Sequence, residues 1–260
     1  MLNIDRERFT DIALQLAVSA GEKIMEIYET DFDVSTKQDA SPVTEADVAA
    51  EAIILAGLRD TFPELPIVAE EEAAAGNIPD IGHVFVLVDP LDGTRAFLNR
   101  NGAFTVNIGL IENGSPVAGV VHAPALSRTF GGSVGKGAFE ISSNERKIIT
   151  VRALNPDHVV AVASRSHRDE KTDSYLESAG VKETVSIGSS LKFCLLAASE
   201  ADLYPRFGRT MEWDTAAGHA VLAAAGGSVS NEDGTPFMYG KRNQADDVDF
   251  ANPAFIAKGG

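Results

Sequence analysis

With 260 residues, 44% of them apolar, the chain is long enough for a sizeable core, as one large domain or as two lobes sharing an interface. A formal net charge of −16 without a basic stripe repels polyanions and excludes nucleic-acid polymers as partners. A small phosphate ester stays open, because a few local cations and a bound metal override the global field at short range.

Residues 1–10 are charged and lack the apolar centre of a signal peptide, and no window approaches the ~18 apolar residues of a spanning helix. The expectation is a cytoplasmic protein with no stable membrane insertion. The single cysteine, Cys194, cannot form an internal disulfide and sits in the apolar pattern Leu191, Phe193, Leu195, which predicts a buried structural thiol. Monomer and homodimer both stay open.

In chain order, Phe9, Ile12, Ala13, Leu16, Ala20, Ile24 and Ile27 recur at three- and four-residue steps and predict an amphipathic helix from Arg6 to Tyr28. A second helix runs from Glu45 to about Phe62, opened by Thr44. A short strand follows from Pro66 to Ala69, then an acidic loop from Glu70 to Pro79. Val84 to Val88 reads as a strand covered on both faces, and it ends on Asp89 and Asp92. Two β-rich runs, Phe104 to Ile111 and Val117 to His122, are joined by Asn113-Gly114, a strong hairpin signal. Short strands continue to about Val151.

The pattern then alternates: strand Val159 to Ala163, helix Asp169 to Ala179, strand Val185 to Ile187, helix Ser190 to Glu200, strand Ala201 to Tyr204, helix Asp214 to Ala225. Such alternation implies a parallel or mixed sheet with crossover helices. Residues 1–155 are thus expected to form an α+β lobe and residues 156–260 an α/β lobe, packed as one compact unit.

The chemistry gathers at the ends of these elements. Two carboxylates at the carboxyl end of a buried strand repel each other and resist ionising unless a cation lies between them. Other oxygen donors sit at similar points: Asp47 after Thr44, Glu70-Glu71-Glu72 after the strand Ile67-Val68-Ala69, and Asp214 at a helix start. Each alone has a plainer reading. Asp47 fits a capping box, Asp214 an N-cap, and the glutamates a solvated loop. Together they form an oxygen-only set suited to a hard ion such as Mg²⁺ or Mn²⁺. Zinc is disfavoured, because there is one cysteine and His83, His122, His158, His167 and His219 lack ligand spacing.

Asp47, Glu70-Glu71, the run "DPLDGT" from Asp89 to Thr94 and the run "WDTAA" from Trp213 to Ala217 resemble, in order and spacing, the signature of the inositol monophosphatase superfamily of lithium-sensitive, magnesium-dependent phosphatases. The resemblance covers nearly the whole chain. It implies a layered αβαβα sandwich of the inositol monophosphatase and fructose-1,6-bisphosphatase type, combining α+β and α/β parts. It implies that Glu70, Asp89, Asp92, Asp214 and the Leu91 carbonyl hold two or three Mg²⁺ ions, with Mn²⁺ as a substitute and Li⁺ as an inhibitor. Asp47 and Thr94 become a dyad orienting the attacking water, assisted by Glu70.

Within the superfamily, the stretches "SRSH", "SIGSSLKFC" and "LYPRFGRTMEWDTAAGHA" are most similar to the bisphosphate nucleotidases. That likeness implies removal of the 3′-phosphate of adenosine 3′,5′-bisphosphate, with 3′-phosphoadenylylsulfate as a second substrate, in sulfur assimilation. Leu91, Asp92, Gly93, Thr94 and Asp214 then face the ester phosphate, and His167, Ser189, Lys192 and Arg206 the nucleotide and its second phosphate. It also implies peripheral association with the inner membrane. An inositol-1-phosphate or other sugar phosphatase would keep every metal ligand. A non-catalytic metal or nucleotide sensor is the contrasting class, against which the intact Asp47 and Thr94 weigh.

Overall fold

The computed structural model describes residues 2, 4–30, 34–36, 42–164 and 169–260. The N-terminal stripe forms helix α1 (Arg6–Tyr28), started by Asp5, whose side chain accepts the N–H groups of Glu7 and Arg8. Strands β1 (Val34–Thr36) and β2 (Pro42–Thr44) pair antiparallel ahead of α2 (Glu45–Thr61). There follow β3 (Ile67–Ala69), α3 (Glu70–Ala74), β4 (Val84–Asp92), α4 (Thr94–Leu98), β5 (Thr105–Glu112), β6 (Ser115–Ala123), β7 (Arg128–Ser133), β8 (Gly137–Ser142) and β9 (Glu145–Ile149). The second half holds β10 (Val160–Ser164), α5 (Glu170–Ser178), β11 (Glu183–Ile187), α6 (Leu191–Ala197), β12 (Leu203–Arg206), β13 (Thr210–Met211), α7 (Glu212–Ala224), β14 (Ser228–Asn231), β15 (Ala251–Asn252) and β16 (Phe255–Lys258).

Strands β3 to β9 lie in chain order in a seven-stranded sheet, with β3 and β4 parallel and the other neighbours antiparallel. The β5–β6 turn is the expected one: Asn113 and Gly114 both take positive φ, 51° and 77°, as a two-residue hairpin of primed type requires. The second sheet has the order β11-β10-β12-β16-β14. It is mixed, because β10 runs parallel to β11 and β12 while β16 is antiparallel to both its neighbours.

Burial sorts these elements into five layers. Phe9, Ala13 and Ile24 of α1, with Ala50, Ile54 and Leu58 of α2, pack on Val86, Val88, Val106, Ile108 and Val120 of the first sheet. The opposite face of that sheet, with Phe85, Leu87 and Phe130, meets Phe193 and Leu196 of α6 and Ala216, Ala217 and Val221 of α7. Those helices are covered in turn by Val160, Val162, Tyr204 and Phe255 of the second sheet. Leu176 of α5 closes the outer face of that sheet against Ala161, Leu203 and Ile256. The αβαβα sandwich expected from the sequence is the fold.

Helix α7 lies unusually close to the first sheet. A Cβ added to Gly109 would stand 2.9 Å from the Ala217 nitrogen, and one on Gly119 2.8 Å from the Ala217 carbonyl oxygen. Only glycine on the sheet opposite alanine on the helix allows this approach. One expectation is corrected. The acidic stretch after β3 begins as helix α3 rather than as a loop, for a reason that lies in a distant side chain described below.

Two histidines are buried and bonded to side-chain hydroxyls. His122 bonds Thr129 Oγ1 at 2.8 Å, and His219 bonds the Tyr239 hydroxyl at 3.1 Å. Burial lowers their pKa values to about 4 and about 3. Below the unfolded value near 6.5 the unfolded chain binds protons that these folded rings refuse, so their contribution is present above pH 6.5 and is lost as pH falls toward 4. Replacing His219 by Gln should therefore flatten the fall in urea midpoint between pH 7 and pH 5, by about 2 kcal/mol of unfolding free energy at pH 5. Parallel pH profiles of parent and variant would exclude that role.

Candidate active site

Strand β4 pairs with β5 at Asp89 opposite Asn107 and again at Asp92 opposite Thr105. Three steps on β4 answer two on β5, so one extra residue bulges out between the aspartates. The bulge switches the alternation of side chains. Phe85 and Leu87 face α6 and α7, yet Leu91, of the same parity, joins the core under α1 and α2. Asp92 is thereby turned to the side that Asp89 already faces. Without the extra residue, two positions three apart would point to opposite faces.

Parallel pairing of β3 with β4 sets their carboxyl ends side by side, Ala69 opposite Val88, so that Glu70 begins α3 next to Asp89. Ala69 offers that helix no side-chain cap. The cap comes from α2: Glu51 accepts the N–H of Glu71 at 2.8 Å and of Glu72 at 2.9 Å. This is why the acidic stretch is helical. Burial raises the Glu51 carboxyl to about 7, its two N–H donors opposing the shift.

Asp47 lies one turn before Glu51 on α2 and fills two roles. Its Oδ2 accepts the Thr44 N–H at 2.8 Å and the Thr44 hydroxyl at 2.7 Å, the capping box expected from the sequence. Its Oδ1 stands 3.4 Å from the Thr94 hydroxyl, which is also 3.4 Å from the Leu91 carbonyl. Asp214, at the third position of α7, accepts the Met211 N–H at 2.8 Å. Gly93 precedes α4 with φ of 94°, and a Cβ there would lie 3.1 Å from the Ala103 carbonyl oxygen. A side chain at this position would therefore crowd the chain's own backbone.

The carboxylates sense one another. Asp89 is raised well above the ordinary range by burial first, then by the charges of Glu70, Asp92 and Asp214, and it shares a hydrogen bond with Glu70. Asp214 is raised likewise by burial, Asp92 and Glu70. Asp92 is raised by burial, against the pull of Lys192 and of the Ser190 N–H. Among the described residues no three such side chains already converge in ligating geometry. Asp89 Oδ1 accepts the Leu91 N–H at 3.0 Å, Asp92 turns to Ser190 and Asp214 to Met211. The donor set nonetheless fits a hard cation: every group is oxygen, Asp89 is buried with Glu70, Asp92 and Asp214 half-buried beside it, and a positive ion would relieve the repulsion that raises Asp89 and Asp214.

Beside the cluster opens a cavity of about 280 Å³ whose lining includes Asp92, Gly93 and Asp214 together with Ser189, Lys192 and Arg206. Lys192 is buried rather than on a helix surface. Its Nζ donates to the Ser189 carbonyl at 2.6 Å, lies over the Tyr204 ring, and is lowered to about 8 by burial. The Arg206 guanidinium donates to the carbonyls of Gly208 and Arg209 at 3.0 and 3.1 Å. Ser189 has positive φ, and its buried Oγ has no hydrogen-bond partner among the described residues. His167 lies outside the described residues.

Arg95, Arg209, Tyr204 and Thr215 also line the cavity. Tyr204, Arg209, Thr215 and also Ser190 fall within the family-like stretches, which assign them no role, whereas Arg95, Glu51 and Asn107 fall outside them. The available signals were positional: Glu51 lies four residues after Asp47 on one helix face, and Asn107 is a polar residue inside an apolar strand.

The model of the inositol monophosphatase family matches residues 5–252. The chain is 47% identical over 247 residues to the 3′(2′),5′-bisphosphate nucleotidase CysQ of Shigella flexneri, covering 94% of this chain and 97% of that one. It is 48% identical over 243 residues to the protein of the same name from Salmonella typhimurium, covering 93% and 96%. The crystal structure of CysQ from Bacteroides thetaiotaomicron superposes with a TM-score of 0.81 at 36% identity, over 99% of both chains. An IMPase from Thermotoga maritima superposes with a TM-score of 0.77 at 28% identity, over 97% and 92%. On sequence and fold together, the chain belongs to the inositol monophosphatase family.

Proposed function

We propose that this chain is a magnesium-dependent 3′(2′),5′-bisphosphate nucleotidase that hydrolyses the 3′-phosphate of adenosine 3′,5′-bisphosphate to AMP and phosphate. The observation that carries the reading is one cavity whose lining combines the carboxylates Asp92 and Asp214 with the cations Lys192, Arg206, Arg95 and Arg209, the last also paired with Asp247. A cyclitol monophosphate offers one phosphate to the carboxylates and nothing to so many cations. A bisphosphorylated nucleotide offers a second anion. Relatives at 47–48% identity bear the name of that activity.

Glu70, Asp89, Asp92, Asp214 and the Leu91 carbonyl are the residues that would hold Mg²⁺, which when bound supplies positive charge to the transferring phosphoryl group and lowers the pKa of water. The chain's own part is to place the reactants. Thr94 and Asp47 hold the attacking water, the hydroxyl orienting it and the carboxylate drawing its proton, with Glu70 assisting. Attack on phosphorus breaks the bond to the 3′-oxygen, which leaves as the alcohol after taking up a proton.

Gly93 and Thr94 bring backbone N–H groups to the ester phosphate. Ser189, Lys192 and Arg206, with His167, take the nucleotide and its second phosphate. On this reading residues 1–155 supply most of the metal-holding groups and residues 156–260 the grip on the nucleotide. Asp214, from the second lobe, belongs to both.

Phosphate release from adenosine 3′,5′-bisphosphate and from inositol-1-phosphate, side by side in Mg²⁺, should strongly favour the nucleotide and be suppressed by Li⁺. Preference for inositol-1-phosphate would overturn the substrate, and no turnover of either would point to the sensor class. Lys192→Met, which keeps the buried stem, should raise KM for the bisphosphate by roughly 10- to 100-fold, the size expected for losing a hydrogen bond to a charged group. KM for a 3′-monophosphate should change little, and equal losses on both would make Lys192 structural.

A further inference from the structure

Helix α6 begins at Ser190, a residue of the type that usually caps its own helix, yet its side chain makes no such bond. It is turned outward to other elements. The Ser190 hydroxyl donates to the backbone carbonyl of Asp214 at 2.5 Å and accepts from Asn107 Nδ2 at 3.0 Å. The Ser190 N–H donates to Asp92 Oδ2 at 2.7 Å, and the same Asn107 amide reaches that oxygen at 3.5 Å. Ser190 is 1% exposed and Asn107 is fully buried.

One residue therefore ties together β4, through Asp92, β5, through Asn107, and α7, through Asp214. The orientation of the Asn107 amide is determined by this contact, because the reversed amide would set its oxygen against a carboxylate. Its Oδ1 has no hydrogen-bond partner among the described residues. Such a bond pattern is unfavourable for packing alone: α6 forgoes its own cap and a buried carbonyl goes unpaired.

We infer that Ser190, supported by Asn107, is a positioning residue that fixes Asp92 and Asp214 relative to each other and so sets the affinity of the carboxylate cluster for a divalent cation. This rests on the cation reading proposed above. Asp92 is held through one oxygen by the Ser190 backbone, and the start of α7 is held by the hydroxyl of the same residue. Removing the hydroxyl leaves Asp92 its N–H donor but releases the Asp214 backbone carbonyl, and with it one tether of the start of α7. Outer partners of metal ligands typically affect affinity by about 10- to 100-fold when removed.

The test is calorimetric titration of Mg²⁺ into the metal-free chain and its variants, with the urea midpoint of each metal-free protein measured alongside. Ser190→Ala should weaken Mg²⁺ binding about 10-fold or more, and Ser190→Thr, which keeps the hydroxyl, should recover most of the loss. Asn107→Ser, which withdraws the amide from both Asp92 and the hydroxyl, should shift affinity in the same direction and provides the test if Ser190→Ala does not fold. A lowered urea midpoint with unchanged Mg²⁺ affinity in these variants would overturn the inference and leave Ser190 a packing residue. A parent that takes up no Mg²⁺ would instead overturn the cation reading on which it rests.

Discussion

Two carboxylates three residues apart on one strand can share a face only if the strand is irregular between them. The extra residue between Asp89 and Asp92 provides that irregularity, and much of the site follows from it. Leu91 swings into the core under α1 and α2, which anchors the bulge, and the two aspartates turn together toward α6 and α7. The cost is electrostatic. Burial and the neighbouring charge of Glu70 hold both carboxyls above their ordinary range, with Asp92 adding to the effect on Asp89, and a cation would relieve that state.

The other acids reach the same place because each sits at the end of an element that the sandwich directs there. Parallel pairing brings the end of β3 beside β4 and so delivers Glu70. Gly109 and Gly119 admit α7 to close contact with the sheet and so deliver Asp214. Buried acids one step back hold these elements: Glu51 caps α3 from α2, and Glu212, at the start of α7, accepts the N–H groups of Gly240 and Lys241 at 2.7 and 2.9 Å. Precision at the site thus depends on polar groups that touch no substrate. That is the usual division between groups that react and groups that orient them.

Much of this was legible in the sequence. The apolar period of α1, the Asn113-Gly114 turn and the alternation after Val159 come from strong local rules, and local rules sufficed for them. The joint spacing of Asp47, Glu70, Asp89, Asp92 and Asp214 disclosed the family, where each acid alone would have passed as a cap or a turn. The capping reading of Asp47 was right as well, since one of its oxygens caps α2 while the other faces Thr94. What escaped was non-local. The helicity of Glu70–Ala74 depends on a carboxylate twenty residues earlier in the chain. The burial of Lys192 has no local sign, because a seven-residue helix buried on all sides has no exposed stripe to read. Ser190 and Asn107 declare their partners only once three elements meet.

The central claim is that the face shared by Asp89 and Asp92 holds a divalent cation, and its most direct measurement is anomalous diffraction from crystals equilibrated with Mn²⁺. Density bounded by Asp89, Asp92, Asp214 and Glu70 is the predicted result. Mn²⁺ density only at exposed surface acids, with none at the cluster, would contradict it.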